Sequence, residues 1–417
     1  MRSLSEGWRE HKGKGDFFMG KSIVLSNANV ICVETGRVEQ TNILIESGYI
    51  SKIGFFDLEV DAENIDLEGK WIIPGLIDMH VHIKAGYAPL FTASGVTTVR
   101  NTAGSVVELQ EMMTAKGSAK TPRVFAADRM IDGPPGLWGD SSPYNINIDD
   151  PEVARYEVRR QVKTGADFIK VYGWISKEVL EAVIDEATKF NKEVSCDLIH
   201  LREVNAIDAA QMGVRWNEHA SGILQCIFPD WSMQADDKVW EKIDWDNPNV
   251  LEIERICQKL IEHNVFICPT MTLFNQQKRL ENPWYPKNIV TEKMEENEGL
   301  IQQWESLLPY KSSLSKLGIQ STYNQSIAKV YHDLGGTVVT GTDTPAGIYT
   351  LPGMALHREL ELFVEAGFTE LEAIQASTVK AARALKEERL GVIKESAYAD
   401  LLILNTISTH SPSKSLF

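Results

Sequence analysis

Cysteine is scarce in this sequence, with five residues among 417. No two of them form a CxxC pair, so we expect neither a disulfide scaffold nor a structural zinc ribbon. The five are Cys32, Cys196, Cys226, Cys257 and Cys268.

Positive charge and long apolar runs are also in short supply. Lys and Arg number 42 against 58 Asp and Glu, which gives a formal net charge of −16. Such a surface repels phosphate groups, so nucleic acid and anionic membranes are not expected partners. No run of residues has transmembrane length, and residues 1–20 lack the apolar core of a signal peptide. We expect a cytoplasmic protein that acts on a small molecule.

What the chain does contain is a regular alternation of strand and helix patterns. Residues 21–72 read as short β-branched strands. Helical patterns such as 176–190, 249–263 and 353–366 then separate eight apolar strand candidates. We predict an α/β fold: a (β/α)8 TIM barrel at 73–386, a small β-sandwich domain formed by 21–72 with 387–417, and a polar extension at 1–20. The eight candidates are 71–82, 95–101, 123–131, 167–173, 193–200, 214–220, 264–273 and 337–344.

Two insertions interrupt this rhythm after the sixth and seventh strands. Both leave the carboxyl ends of strands, where barrel active sites lie. Their aromatic side chains either cover a substrate as lids or pack the insertions onto the barrel, and the sequence favours neither. Residues 223–248 carry Trp231, Trp240 and Trp245, and residues 274–318 carry Trp284, Tyr285, Trp304 and Tyr310.

The first chemical motif is His80-Val-His82 at the end of the first barrel strand, after Pro74-Gly75. Residues two apart in a strand point the same way, so both imidazoles can hold one metal ion. In the fourth strand, Lys170 and Tyr172 share one face. A lysine among apolar residues needs a partner or must be neutral. Either Lys170 forms an interior ion pair, or its neutral amine adds carbon dioxide and becomes a carbamate that bridges two cations.

Three more side chains stand at strand ends. His200 and His219 end the fifth and sixth strands, and we predict that both are metal ligands rather than structural histidines. Asp197 lies at odd spacing from His200 in the same strand and is expected to point elsewhere. Asp343, in Gly341-Thr-Asp343, ends the eighth strand, where a carboxylate can both bind metal and carry a proton.

These motifs together resemble the amidohydrolase superfamily, and within it the imidazolonepropionase-like and prolidase-like branch. The resemblance rests on residues 74–82, 95–100, 169–171, 218–219 and 341–343 and on the tail 359–404. It implies that His80, His82 and Asp343 hold one metal, that His200 and His219 hold a second, and that a carbamate on Lys170 bridges them. It also implies substrate contacts from Arg100 and Tyr172, and it allows a homo-oligomer.

The resulting hypothesis is hydrolysis of an amide-type C–N bond, in a dipeptide, an N-acyl amino acid, a lactam or an imidazolone-like ring. Two divalent cations, zinc by ligand type, would activate water, and Asp343 would move the proton. Peptidase-like members tend to carry Gly-Gly-His after the third strand, whereas residues 133–140 contain no histidine, which argues against a dipeptidase.

Two alternatives remain. The spacing of His200 and Glu203 matches the HxxE of some single-metal deaminases that act on nucleobase-like rings, although Glu203 can instead precede the next helix. A non-catalytic barrel kept for binding or assembly is the other, but such relatives generally lose metal ligands.

Overall fold

The computed structural model describes residues 2–3, 22–56, 62–115, 120–279 and 288–405, with backbone alone at 2–3. The expected polar extension, apart from those two residues, and Trp284 and Tyr285 lie outside this part. The strands are β1 (Arg2–Ser3), β2 (Ser22–Ile31), β3 (Val38–Glu46), β4 (Tyr49–Gly54), β5 (Ala62–Asp66), β6 (Trp71–Pro74), β7 (Leu76–Val81), β8 (Val96–Asn101), β9 (Arg123–Ala126), β10 (Met130–Asp132), β11 (Asn145–Asn147), β12 (Ile169–Tyr172), β13 (Val194–Asp197), β14 (Trp216–Glu218), β15 (Phe266–Cys268), β16 (Thr337–Val338) and β17 (Leu401–Leu404).

The helices follow the strands in alternation. Their bounds are α1 (Ala88–Ala93), α2 (Val106–Met113), α3 (Pro151–Thr164), α4 (Lys177–Lys189), α5 (Ala206–Met212), α6 (Ile223–Ile227), α7 (Asp237–Trp240), α8 (Val250–Glu262), α9 (Met271–Arg279), α10 (Ile289–Glu295), α11 (Glu298–Leu307), α12 (Lys311–Ile319), α13 (Ser321–Asp333), α14 (Met354–Glu365), α15 (Glu370–Ala376) and α16 (Val379–Ala384), with 3-10 turns at Ala85–Tyr87 and Leu308–Tyr310.

Helix ends follow local capping chemistry. Ser176 accepts a hydrogen bond from the amide of Val179 at the start of α4, and Asn249 does the same for the amide of Glu252 in α8. These side chains satisfy amides that have no partner inside the helix. The helices predicted at 176–190, 249–263 and 353–366 are therefore confirmed to within a residue at each end.

The amino- and carboxyl-terminal segments share one mixed β-sheet. β2 pairs with β3 on one side and with both β5 and β6 on the other, and β4 extends the sheet beyond β3. The C-terminal strand β17 lies antiparallel to β6, with Leu401 opposite Pro74. Leu25, Ile43 and Ile72 pack with Leu401 in the core of this unit. The return of the C-terminal segment to the N-terminal strands is confirmed.

The remaining strands are parallel and follow chain order, except that β11 lies at the sheet edge beside β10. β7, β8 and β9 form one sheet, and β10 to β16 form another in which β12, β13, β14, β15 and β16 are successive neighbours. A bridge from Ala127 to Phe168 links the two sheets at one side, and a bridge from Val81 to Thr344 links them at the other. Pairing therefore passes through eight strand positions around a ring, and the predicted α/β fold is confirmed. The predicted third strand is divided into β9 and β10.

The tryptophans of the first insertion are packing residues rather than lids. Trp231 and Trp240 are buried, with ring centroids 5.1 Å apart, and Trp245 lies against both and against Tyr323 of α13. In the second insertion Trp304 is also buried. The packing alternative is therefore correct for these four rings.

A buried ion cluster ties α3 to the segment between β9 and β10. Both carboxylate oxygens of Glu157 accept from Arg129, at 2.9 and 2.8 Å, and both accept from Arg160, at 2.9 and 2.7 Å. Burial alone would raise the pKa of Glu157, but the hydrogen bonds from Arg129 and then Arg160 outweigh it and lower the pKa from 4.5 to about 2. The native state thus holds this group ionised more strongly than the unfolded chain does.

We predict that acid removes the stabilisation supplied by Glu157. A carboxylate with a depressed native pKa contributes its full stability above the unfolded value of 4.5 and loses it as the pH falls towards about 2. Glu157→Gln should lower the free energy of unfolding at pH 7, and its deficit relative to the wild type should shrink by roughly 2 kcal/mol between pH 5 and pH 3. Denaturant unfolding at several pH values measures this, with Glu181→Gln, an exposed residue of α4, as control. A deficit that does not change with pH would contradict it.

Candidate metal centre

The carboxyl ends of the parallel strands surround one cavity of about 710 Å³. All six predicted ligands line it, and so does Tyr172; they are His80, His82, Lys170, His200, His219 and Asp343. The ring centroids of His80 and His219 are 4.5 Å apart, and those of His80 and His82 are 5.6 Å apart. The side chains from distant parts of the chain therefore meet at one mouth of the strand ring.

The imidazole of His80 is held by its Nδ1 atom. This atom lies 2.7 Å from Glu218 Oε2, and a carboxylate can only accept, so Nδ1 carries the hydrogen. Nε2 is then bare, and it faces Asp343 Oδ1 at 3.2 Å. His82 repeats the arrangement: its Nδ1 lies 3.3 Å from the carbonyl oxygen of Ala103, and its Nε2 lies 2.9 Å from the same Asp343 oxygen.

His219 is oriented by a threonine. The hydroxyl of Thr270 donates to the carbonyl oxygen of Pro269 at 2.7 Å, so it can only accept from His219 Nδ1, also at 2.7 Å. Nε2 of His219 then faces Asp197 Oδ2 at 3.1 Å. All three histidines thus present Nε2, the nitrogen that these contacts leave available, to a carboxylate.

This donor set fits a divalent cation. An imidazole nitrogen and a carboxylate oxygen about 3 Å apart share a positive charge, either a proton on the nitrogen or a cation bound to both. Two donors that each bind a zinc ion at about 2.0–2.2 Å have such a separation. One ligand atom from each of His80, His219 and Asp343 lies within 4.8 Å of the other two. The family pattern and the geometry agree on these groups as candidate metal ligands.

The buried side chain of Lys170 is a further indication that this site binds an additional group. Its side chain is buried, and Nζ has no hydrogen-bond partner among the described residues. No ion pair with an acidic residue forms in that part of the chain either, so the interior ion pair considered from the sequence is not found. A buried lysine nitrogen without a partner is costly, which makes it a candidate for contact with a bound group or for modification.

Burial and charge set the protonation of the carboxylates. Burial would raise the pKa of Asp343, but His80 outweighs burial and holds the pKa well below its usual value. Burial would also raise the pKa of Glu218, but nearby charges, chiefly that of Arg100, hold this pKa well below its usual value. Burial would lower the pKa of His219, but the charge of Asp197 outweighs burial and raises this pKa above its usual value. Both Glu218 and Asp343 are therefore ionised at neutral pH.

The structure corrects the expectation for Asp197 and His200. β13 ends at Asp197, whose carboxylate faces His219, whereas His200 lies three residues further in a turn. Nδ1 of His200 accepts from the amide of Gln234 at 2.8 Å, which leaves the ring hydrogen on Nε2 and neither nitrogen bare. The spacing argument failed because it extended the strand to residue 200. Asp197 is the group brought to His219, and it was wrongly expected to point elsewhere.

Arg100 is also placed differently from the expectation of substrate contact. It does not line the cavity: it is buried between Phe168 and Trp216, with its guanidinium carbon 3.9 and 4.2 Å from the two ring centroids. Nη1 donates to Glu218 Oε1 at 2.7 Å. Because β8 carries Arg100 into the buried interior, this arginine contacts Glu218 rather than the cavity.

Glu218 is the functional residue that sequence reasoning missed, having used it only as part of a motif. Its carboxylate accepts from His80, Arg100 and Ser195 Oγ, the last at 2.6 Å. The available signal was an acidic residue at a buried strand end immediately before a histidine. Alternation would place the two on opposite faces, but His219 has a φ of 65°, a left-handed conformation that turns its side chain back to the site.

The comparisons with known proteins agree with this geometry. The model of the amidohydrolase family matches residues 71–416, so the chain belongs to the amidohydrolase family. Members of this family are hydrolases that generally use metal ions. A dihydroorotase of Carboxydothermus hydrogenoformans is 45% identical over 62 residues, 15% of this chain and 14% of that protein. An adenine deaminase of Thermosipho africanus is 40% identical over 83 residues, 18% of this chain and 14% of that protein.

The match thus spans only about a seventh of the length of these curated relatives. Among solved structures, a Xaa-Pro dipeptidase with bound methionine superimposes with a TM-score of 0.66 and 20% identity, covering 93% of this chain and 94% of that one. Likeness at that identity speaks for the fold alone. Within the described residues, no helix is both long and apolar enough to cross a membrane.

The geometry predicts that Asp197, not His200, is needed for full metal loading. Asp197→Asn should lose roughly half of the bound metal, because one of the two expected cations loses a charged ligand, while His200→Ala should keep nearly all of it. Elemental analysis of the purified variants measures metal per chain, and both variants are compared with the wild type after identical dialysis. Metal loss in His200→Ala with full loading in Asp197→Asn would contradict the assignment.

Proposed function

We propose that this chain is a metal-dependent amidohydrolase that cleaves an amide-type C–N bond with activated water. The observation that carries the proposal is the set of three imidazole Nε2 atoms that face carboxylate oxygens at 2.9–3.2 Å inside a cavity. Such a donor set has a use in hydrolysis and little use in a purely structural core. The family membership supports the same reaction class, and one structural neighbour is a Xaa-Pro dipeptidase.

Two groups of residues would hold two divalent cations, with zinc suited to the ligand types. His80, His82 and Asp343 form one group, and His219 with Asp197 forms the other. Lys170, as a carbamate, would join them. When bound, such ions lower the pKa of water from about 15.7 towards about 7 and so supply a nucleophile at neutral pH.

Asp343 is the group that moves the proton. Its carboxylate is ionised at neutral pH, because His80 and His82 stabilise the negative charge despite burial. It can therefore accept the proton of the attacking water and return it to the departing nitrogen, as general base and then general acid. Tyr172 lines the same cavity, and burial raises its pKa well above its usual value of 10.0. Its hydroxyl stays protonated and can donate a hydrogen bond to the substrate.

Asp343→Asn is expected to lower kcat by roughly 10²–10⁴-fold, because an amide cannot take up the proton. His80 and His82 remain, so most of the metal and the fold should persist. Turnover is measured on metal-loaded protein with a panel of N-acyl amides, beside Asp230→Asn, which changes an exposed carboxylate. Near wild-type turnover in Asp343→Asn would remove the proton-transfer role.

A single-metal deaminase is the second candidate, because adenine deaminases recur among the matched relatives. The HxxE spacing gives it little support, since Glu203 is exposed, accepts from the amide of Lys177 at 3.3 Å and does not line the cavity. Ammonia release from purines or pyrimidines, together with about one metal ion per chain, would establish this candidate over the first.

A further inference from the structure

We propose that the cavity selects amides carrying a bulky, neutral, apolar group and discriminates against substrates with a free carboxylate. This inference rests on the proposed function, which it deepens by naming the class of substrate. It is carried by the division of the cavity into a charged floor at the strand ends and an apolar wall above it.

The wall comes from helices and loops rather than from the strands. Leu109 and Met112 belong to α2, Leu314 and Leu317 to α12, and Leu273 to α9. Other apolar side chains complete the wall: Ile83, Met130, Leu137, Trp138 and Ile199. A ligand that removes this apolar surface from water binds more favourably, because burial of apolar surface lowers the free energy.

The size of the cavity points the same way. A volume of about 710 Å³ lies in the upper part of the range of about 300–1,000 Å³ that holds drug-sized ligands. A small amide would leave most of the wall in contact with water and would gain little from it. Met112 and Met130 add unbranched side chains that adapt to the shape of a large group.

Among the described lining residues, the apolar wall itself carries no cation that could bind a carboxylate. Outside the metal centre, the acidic and basic side chains of that lining are Lys84, Glu108 and His200. Lys84 and Glu108 are exposed at the rim, and Glu108 already accepts from the hydroxyl of Tyr144 at 2.9 Å. A carboxylate buried against the wall would lose its hydration without a cation in return, which is unfavourable.

Arg100 is the guanidinium that β8 brings near the site, and it does not line the cavity. Arg100 lies beneath the floor, where it is bound to Glu218. The arginine that would recognise the carboxylate of an amino acid or a peptide is therefore absent from the described lining.

Trp138 marks the mouth of the cavity. Its ring is 59% exposed, yet its centroid lies 6.0 Å from that of Tyr172, and both side chains line the cavity. A large exposed aromatic surface beside an apolar cavity is suited to cover a bound apolar group. Removing it should weaken the binding of bulky ligands without disturbing the core.

The experiment compares three amides on the metal-loaded enzyme: N-benzyl-2-naphthamide, its 4-carboxybenzyl analogue and N-benzylacetamide. We expect kcat/KM for the first to exceed the values for the other two by at least roughly tenfold, since each change removes apolar contact or buries an unpaired charge. Equal or higher kcat/KM for the carboxylate analogue would overturn the inference.

Two variants sharpen the comparison. Trp138→Ala should raise KM for the naphthamide by roughly tenfold and leave KM for the acetamide unchanged. The control is Tyr156→Ala, which changes a residue that is 65% exposed and lies outside the cavity. It should change neither KM value. Leu314→Arg should shift the preference towards the carboxylate analogue, because it adds a cation to the wall. No shift in either variant would show that the wall does not contact the substrate.

Binding separates this inference from the proposed function. If none of the amides is cleaved, quenching of tryptophan fluorescence gives the Kd of each compound. A tighter Kd for the naphthamide than for its carboxylate analogue would uphold the cavity inference while the hydrolytic proposal fails. Equal Kd values for the two would overturn the cavity inference whatever the turnover.

Discussion

The site depends on one constraint: three imidazole Nε2 atoms are held against carboxylate oxygens. Each imidazole is fixed through its other nitrogen, by Glu218 for His80, by a backbone carbonyl for His82 and by Thr270 for His219. These contacts set the tautomer before any ligand arrives, which is how proteins commonly orient the histidines of metal sites. A bound cation would take the place of the proton that otherwise joins each Nε2 to its carboxylate.

Hydrogen bonds and backbone conformation also fix the segments that carry the candidate ligands. Asp78 accepts from the amide and hydroxyl of Thr342, at 3.1 and 2.7 Å, and so fixes the turn that carries Asp343. Asp343 has a φ of 59° and His219 a φ of 65°, conformations that L-residues rarely adopt without surrounding support. Strained backbone at two candidate ligands, and at Thr270 with a φ of 50°, shows that the scaffold around the site determines their placement.

Sequence patterns predict the fold well because alternation and helix capping are local properties of a chain. The strand positions, the helix bounds and the contribution of His80 and His82 to one site all follow from spacing alone. The wrong predictions concern two quantities, namely how far a side chain lies from the cavity and where a strand ends. Asp197 and His200 differ by three residues, so the outcome depended on where β13 ends, and Arg100 lies on an inward face but below the cavity. Neither quantity is encoded in periodicity.

The division between floor and wall explains how reaction and specificity can vary separately in this fold. The ionisable groups stand on or next to strand ends, where Glu218 lies 2.7 Å from His80 and from Arg100 and Asp197 lies 3.1 Å from His219. The wall stands on α2, α9, α12 and the loop around Trp138, which are separate from the elements that carry the candidate metal ligands. A dry, apolar wall also strengthens the electrostatic interactions of the floor, because fewer water dipoles screen them. Substitutions in the wall can therefore change which molecule enters without altering how its bond is attacked, whereas a change at Glu218 or Thr270 would disturb the orientation on which every substrate depends.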